Sequence, residues 1–136
     1  MSETAGTVFM EIATVNTVVE QKTIGDSTSF RTFIYTNNGT DWYYADGTNN
    51  LLLGSAPTIV SGTISKRAMK WFGSSVEGFI GGAKLANTRA YDGAWGFTEI
   101  MISGTNAPSF PSFSTTRNVK IWTTAKTDAQ LQAMTA

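Results

Sequence analysis

The sequence predicts an all-β fold: an antiparallel sandwich or barrel with one short helix at the C-terminal end. Three observations lead there. Runs rich in Val, Ile, Thr, Phe, Tyr and Trp follow one another along the chain, each short enough for a strand. Gly, Asn, Asp and Pro fall between them. One helix-start pattern occurs, at Thr127-Asp128-Ala129-Gln130. With 136 residues, 41% of them apolar, the chain suits a single domain spanning 1–136, its core between about residues 6 and 134.

Gly6-Thr7-Val8-Phe9-Met10-Glu11-Ile12 is β-branched and aromatic and makes the first strand. Thr17 to Ile24 makes the second, closed by Gly25-Asp26-Ser27. Phe30-Arg31-Thr32-Phe33-Ile34-Tyr35 is the third. It ends at Asn37-Asn38-Gly39, where Asn and Gly accept the positive φ of a hairpin turn. Asp41-Trp42-Tyr43-Tyr44 returns from that turn and stops at Asp46-Gly47. The segment from Thr48 to Ser61 is looser, and Pro57 confines it to an edge or a loop. The clearest hairpin is central. Lys66-Arg67-Ala68-Met69-Lys70-Trp71-Phe72 runs into Gly73-Ser74-Ser75, and Val76-Glu77-Gly78-Phe79-Ile80 returns to a second turn at Gly81-Gly82, which Ala83-Lys84-Leu85 leaves. Phe97-Thr98-Glu99-Ile100-Met101-Ile102 is a further strand, followed by a Pro- and Ser-rich loop, and Asn118-Val119-Lys120-Ile121-Trp122-Thr123 is the last. Trp71 and Trp122 alternate with polar neighbours on their strands, so both are expected in the core. Thr127 and Gln130 have capping-box spacing, and Leu131 and Met134 share a face, which places a helix at about Asp128 to Met134.

Charged residues make up 15% of the chain, ten Lys+Arg against ten Asp+Glu, so no net field draws it to nucleic acid or to an anionic membrane. It has no Cys and no His, which excludes thiol nucleophiles, imidazole triads, Cys or His zinc sites and disulfides. Paired carboxylates would be the remaining proton-transfer device, but Glu77, Asp92 and Glu99 are scattered. An enzyme is not expected, and no cofactor is. Asp41, Asp46, Asn49, Asn50 and Asp92 could offer oxygens to calcium, yet turns whose Asx side chains bond their own backbone have the same composition, so no metal is assigned. No apolar run is long enough to span a bilayer, and Met1-Ser2-Glu3-Thr4 carries an acid where a secretory signal has a base.

The central stretch from Met69 through Trp71-Phe72-Gly73-Ser74-Ser75 to Gly81-Gly82 resembles the strand, turn, strand, turn order of concanavalin A-like jelly rolls of the laminin-G/pentraxin type. Asn118-Val119-Lys120-Ile121-Trp122 and then Thr127-Asp128-Ala129-Gln130-Leu131-Gln132-Ala133-Met134 resemble that family's closing strand and helix, and Gly6 to Glu11 its first strand. Gly81 stands where the family often has Asn, and Gln130 where Glu is usual; both fit the same turn and cap. The short, Thr-rich form without His or Cys is similar to domains of tailed-phage virion proteins. The resemblance implies a two-sheet antiparallel jelly-roll sandwich. Family members bind glycans, bind proteins or serve as spacers, so the fold alone does not choose. Relatives that cleave β-glucans carry an E-x-D-x-x-E arrangement on one strand, and this sequence lacks it.

The candidate ligand-binding residues are aromatic and acidic, because sugar C–H faces stack on exposed rings while Asp and amides bind hydroxyls. Trp95 lies between glycines in Tyr91-Asp92-Gly93-Ala94-Trp95-Gly96, which brings Tyr91, Asp92 and Trp95 forward together. Trp42 and Tyr44 share one strand face and Tyr43 takes the other, so at least one of these rings is expected outward; Trp42 and Tyr44 join the candidates. Phe110 and Phe113, in a Pro-bounded loop, either cap the open end of the sandwich or anchor a neighbouring subunit. With the segment ahead of Gly6 they would form the interface of a homo-oligomer with weak salt dependence. The expectation that follows is a non-enzymatic module on the surface of a bacteriophage virion, in a tail fibre, a tail tip or a capsid decoration, engaging host-surface polysaccharide. The alternative is a decoration or cement protein held by protein contacts alone. A domain starting near residue 6 and ending at its capping helix leaves no room for a fibre shaft, which favours a free-standing subunit if the chain is complete and a fibre tip if it is excised. The expected partners are other virion proteins and host glycan, not nucleic acid or membrane. The expected location is the virion, after synthesis in the host cytoplasm without a signal peptide.

Overall fold

The computed structural model describes residues 4–14, 24–25, 31–36, 40–46, 49–56, 60–90, 101–102 and 114–136. Its strands are β1 (Ala5–Thr14), β2 (Ile24–Gly25), β3 (Arg31–Thr36), β4 (Asp41–Asp46), β5 (Asn50–Ser55), β6 (Ile64–Phe72), β7 (Ser75–Ile80), β8 (Ala83–Lys84), β9 (Arg89–Ala90), β10 (Met101–Ile102) and β11 (Ser114–Trp122), followed by α1 (Asp128–Thr135). The first sheet runs β11-β1-β6-β7-β8, with β9 also paired to β7, and the second runs β10-β2-β3-β4-β5. Every pairing is antiparallel.

Alternation along the strands builds two apolar layers. Val8, Met10 and Ile12 of β1, Met69 and Trp71 of β6, and Val76 and Ile80 of β7 meet Ile34, Trp42, Tyr44 and Leu53 of the second sheet. The opposite face of the first sheet presents Phe9, Ala68 and Phe79 to Leu131 of α1, with Met134 and Trp122 packed beside them. The first sheet is therefore covered by the second sheet on one side and by the helix on the other. Each Val, Leu, Ile, Phe or Met side chain fully buried in these layers contributes about 1.5–3 kcal/mol. Two glycines let the inner layer close. A Cβ on Gly6 would stand 2.1 Å from Trp71 Cζ2, and one on Gly78 would meet Leu85, Leu53 and Ile34 at 2.8–3.1 Å.

Both turns of the central hairpin lie where the sequence places them. Gly73 takes φ 59°, and Gly81 and Gly82 take 57° and 78°, the paired positive values of a tight hairpin turn. The helix start is also as expected. Thr127 Oγ1 accepts from Gln130 N at 3.2 Å, and the Gln130 side chain accepts from Thr127 N at 3.0 Å.

Two expectations change. The loose segment contains a regular strand, β5, which lies at the edge of its sheet and ends ahead of Pro57. Trp122 does not enter the layer between the sheets. Its register opposite Thr7 puts it on the outer face, half-buried, with Lys126 Nζ 5.0 Å from its ring centroid. A bulge precedes it, where Asn118 takes φ 52° and the β1–β11 register shifts between Phe9 and Glu11. Of the expected strands Thr17–Ile24 and Phe97–Ile102, residues 17–23 and 97–100 lie outside the described residues.

Candidate functional site

At one end of the sandwich the β5–β6 connection, the start of β6, the β7–β8 turn and the last residues of α1 surround a cleft of about 280 Å³. Local structure fixes each wall. Val60 and Thr63 close a turn through Gly62 at φ 81°, with Thr63 N and Oγ1 both donating to the Val60 carbonyl. Gly82 N donates to Thr135 Oγ1 at 3.2 Å and Lys66 Nζ to the Ala136 carbonyl at 2.6 Å, tying the helix end to the hairpin. Val60 and Ile64 are exposed at the rim, whereas Trp42 and Ile80 are buried at its base. The cleft thus joins the aliphatic surface of Val60 and Ile64 to the hydroxyls of Thr63, Ser65 and Thr135 and one cation, Lys66.

A buried charge stands behind it. Arg67 shares the inward parity of Met69 and Trp71, is fully buried, and lays its guanidinium 4.4 Å from the Trp42 ring centroid. Its Nε–H donates to Ser65 Oγ at 3.0 Å. Burial pushes the guanidinium down to about 9, so it remains charged at neutral pH. The Trp42 Nε1–H is buried with no acceptor among the described residues.

A second recess, of about 240 Å³, lies on the outer face of the β6–β7 hairpin between Lys70, Phe72, Ser75, Glu77 and Ala125. Lys70 and Glu77 are cross-strand partners 3.1 Å apart. Lys84 Nζ reaches Glu77 at 2.7 Å and Asp128 at 3.0 Å, Lys70 also pairs with Asp128, and Thr88 Oγ1 donates to Glu77 at 3.3 Å. Burial raises the Glu77 carboxyl, but hydrogen bonds from Lys84 and Lys70 outweigh it and hold the group below the usual carboxylate range. The Lys70 hydrogen bond lowers Asp128, burial opposes it less strongly, and the Lys84 hydrogen bond adds to the lowering. The bond to Glu77 raises Lys84.

Trp42 and Tyr44 do share a face, but it is the buried one, and neither offers a ring to solvent. Tyr44 Oη donates to the Ala90 carbonyl at 2.5 Å, which ties β4 to β9 and gives that phenol a structural role. Trp42 contributes only the base of the cleft. Tyr91, Asp92, Trp95, Phe110 and Phe113 lie outside the described residues. Asp41 accepts from Ser55 Oγ at 2.7 Å, and among the described residues no group of three Asp, Glu, His or Cys side chains is placed to hold a metal ion. The sequence reading missed Arg67 and Phe72. Arg67 carried a usable signal, a charge at the apolar parity of its strand.

No family model and no curated protein sequence matches this chain. Solved structures do. The CBM40 of the Ruminococcus gnavus IT-sialidase, bound to α2,3-sialyllactose, superposes with TM-score 0.72 at 19% identity over 99% of this chain and 84% of that one. The fold is a jelly roll. The native SAP-like pentraxin of Limulus polyphemus shares this jelly roll at TM-score 0.66 and 14% identity, over 97% of this chain and 70% of the pentraxin. A mutant of Trypanosoma rangeli sialidase displaying trans-sialidase activity matches at TM-score 0.73 and 10% identity, over 96% of this chain. The jelly roll spans only 22% of that sialidase chain.

Proposed function

We propose that this jelly roll is a non-catalytic carbohydrate-binding module whose glycan site is the end cleft. The observation that carries the reading is extent: the chain corresponds to nearly the whole of a sialyllactose-binding module, and to a fifth-sized part of a sialidase. The cleft chemistry supports it, because hydroxyl donors and acceptors beside the aliphatic surface of Val60 and Ile64 suit a sugar's mixed faces. A finer placement, on the surface of a phage virion, rests on the short, Thr-rich form without His or Cys, which is similar to domains of tailed-phage virion proteins; finding the chain in purified particles tests it. A glycan array followed by calorimetry tests the module. The parent should bind a defined glycan set. Thr63→Trp, which fills the cleft from an exposed turn and keeps the Thr63 N–H bond to Val60 while losing that of Oγ1, should weaken binding at least tenfold, ~1.4 kcal/mol, and leave the protein folded with a small drop in melting temperature. Loss in Trp95→Ala with no loss in Thr63→Trp moves the site to the Tyr91–Trp95 loop. Absence of any glycan binding by the parent rejects the module.

A further inference from the structure

We propose a second saccharide site on the outer face of the β6–β7 hairpin, stacking a neutral sugar on Phe72 and holding its hydroxyls with Glu77, Lys70 and Ser75. Alternation on β6 sends Ala68, Lys70 and Phe72 to the face that α1 covers. Ala68 lies beneath Leu131, and Lys70 lies at the helix start beside Asp128. Phe72 lies past the end of that cover and is 69% exposed. The ring borders the recess walled by Lys70, Ser75, Glu77 and Ala125, so one flat apolar surface stands beside fixed polar groups.

Those groups are held before any ligand arrives. The Lys70 and Glu77 side chains are only 15% and 18% exposed and are locked together with Lys84 and Asp128. Glu77, held ionised by its lysines, is purely an acceptor; Lys84 and Thr88 occupy Oε1 and Lys70 takes one site on Oε2, which leaves Oε2 able to accept from one sugar hydroxyl, while Lys70 supplies a donor. Preorganised groups cost little ordering on binding. Charge selects the ligand class. Two cations balance two carboxylates around the recess, so an acidic sugar would face Glu77 and Asp128 while a cation would face Lys70 and Lys84. A neutral sugar meets neither penalty. The site goes beyond the end cleft, which lies by the opposite end of β6. From Ile64 to Phe72 at roughly 3.3 Å per residue the two stand about 26 Å apart. An extended glycan or two branches could then engage both, each modest contact reinforcing the other.

Amide NMR titration tests the site, with lactose, maltose and cellobiose as neutral probes and sialyllactose as the acidic comparison. At least one neutral disaccharide should shift the Phe72, Gly73, Ser75 and Glu77 amides saturably. Phe72→Ala should weaken that binding at least tenfold, Phe72→Tyr should retain it, and Phe72→Ala should melt with the parent because the ring is exposed. Thr63→Trp should leave the hairpin shifts intact. The proposal fails if none of the neutral probes shifts the hairpin, if Phe72→Ala binds like the parent or unfolds, or if sialyllactose binds there more tightly than the neutral probes. Shifts confined to the Thr63–Lys66 amides would sustain the end cleft and reject the hairpin site.

Discussion

Gly6 and Trp71 show how little room the inner layer leaves. The indole lies over the glycine, and a Cβ there would approach Cζ2 to 2.1 Å, far inside any contact distance. Gly6→Ala should therefore force Trp71 off its position and cost about 1–3 kcal/mol, read as a lower urea midpoint at unchanged slope. Arg67 gives a second test at this scale. Arg67→Lys would keep the charge but lose the planar face against Trp42 and the Nε–H to Ser65, while burying a more strongly hydrated ammonium. A loss of ~2 kcal/mol in chemical denaturation is expected. The sequence showed which aromatic residues of β4 share a face, since alternation is local. It did not show which face is covered, because Arg67 and Met69, distant in sequence, decide that. Trp42 and Tyr44 were misread for this reason.

The helix is an element whose attachment can be dissected. Thr127→Ala removes the cap to Gln130 N and should cost about 1 kcal/mol. Its docking also depends on pH through the alternating charges of Lys70, Glu77, Lys84 and Asp128. Glu77 and Asp128 titrate lower folded than unfolded, so their stabilisation is complete above the ordinary carboxylate value of about 4 and disappears as pH falls through the lower folded values. Lys84 titrates higher when folded; its contribution is complete below about 10.4 and disappears as pH rises through the raised value. Thermal melting should fall at the acid end, and above about pH 9 the loss through Lys84 is set against a gain through Arg67, whose lowered folded value leaves the unfolded chain binding more protons there. Glu77→Gln should flatten the acid limb, and an unchanged limb would remove Glu77 from the account. The capping box was legible because it is a four-residue pattern. The Lys70–Glu77 pairing was not, because the turn takes two residues, Gly73-Ser74, rather than the expected three, and only that register sets Phe72 against Ser75 and Lys70 against Glu77. Asp128 and Lys84 join it only through the packing of α1, which no local pattern records.

At the level of the molecule, turn spacing sufficed for an antiparallel sandwich, but strand neighbours and the end cleft were beyond it, because segments from β4 to the end of α1 converge there only once both sheets are stacked. Self-association through Phe110 and Phe113, proposed from the sequence, has its own test. A Phe110→Ser/Phe113→Ser variant should stay folded and sediment as a monomer where the parent does not. The order of strands carries a further consequence, in time. β1 lies between β6 and β11, and Thr7 Oγ1 donates to the Thr124 carbonyl across 117 positions of sequence. On a ribosome the first strand made therefore waits for the last, with one edge open and its apolar residues unshielded. Closing so many distant pairs is slow, which sets refolding in the millisecond-to-second range. Until β11 arrives, the nascent chain has an unpaired edge that a second nascent copy could occupy.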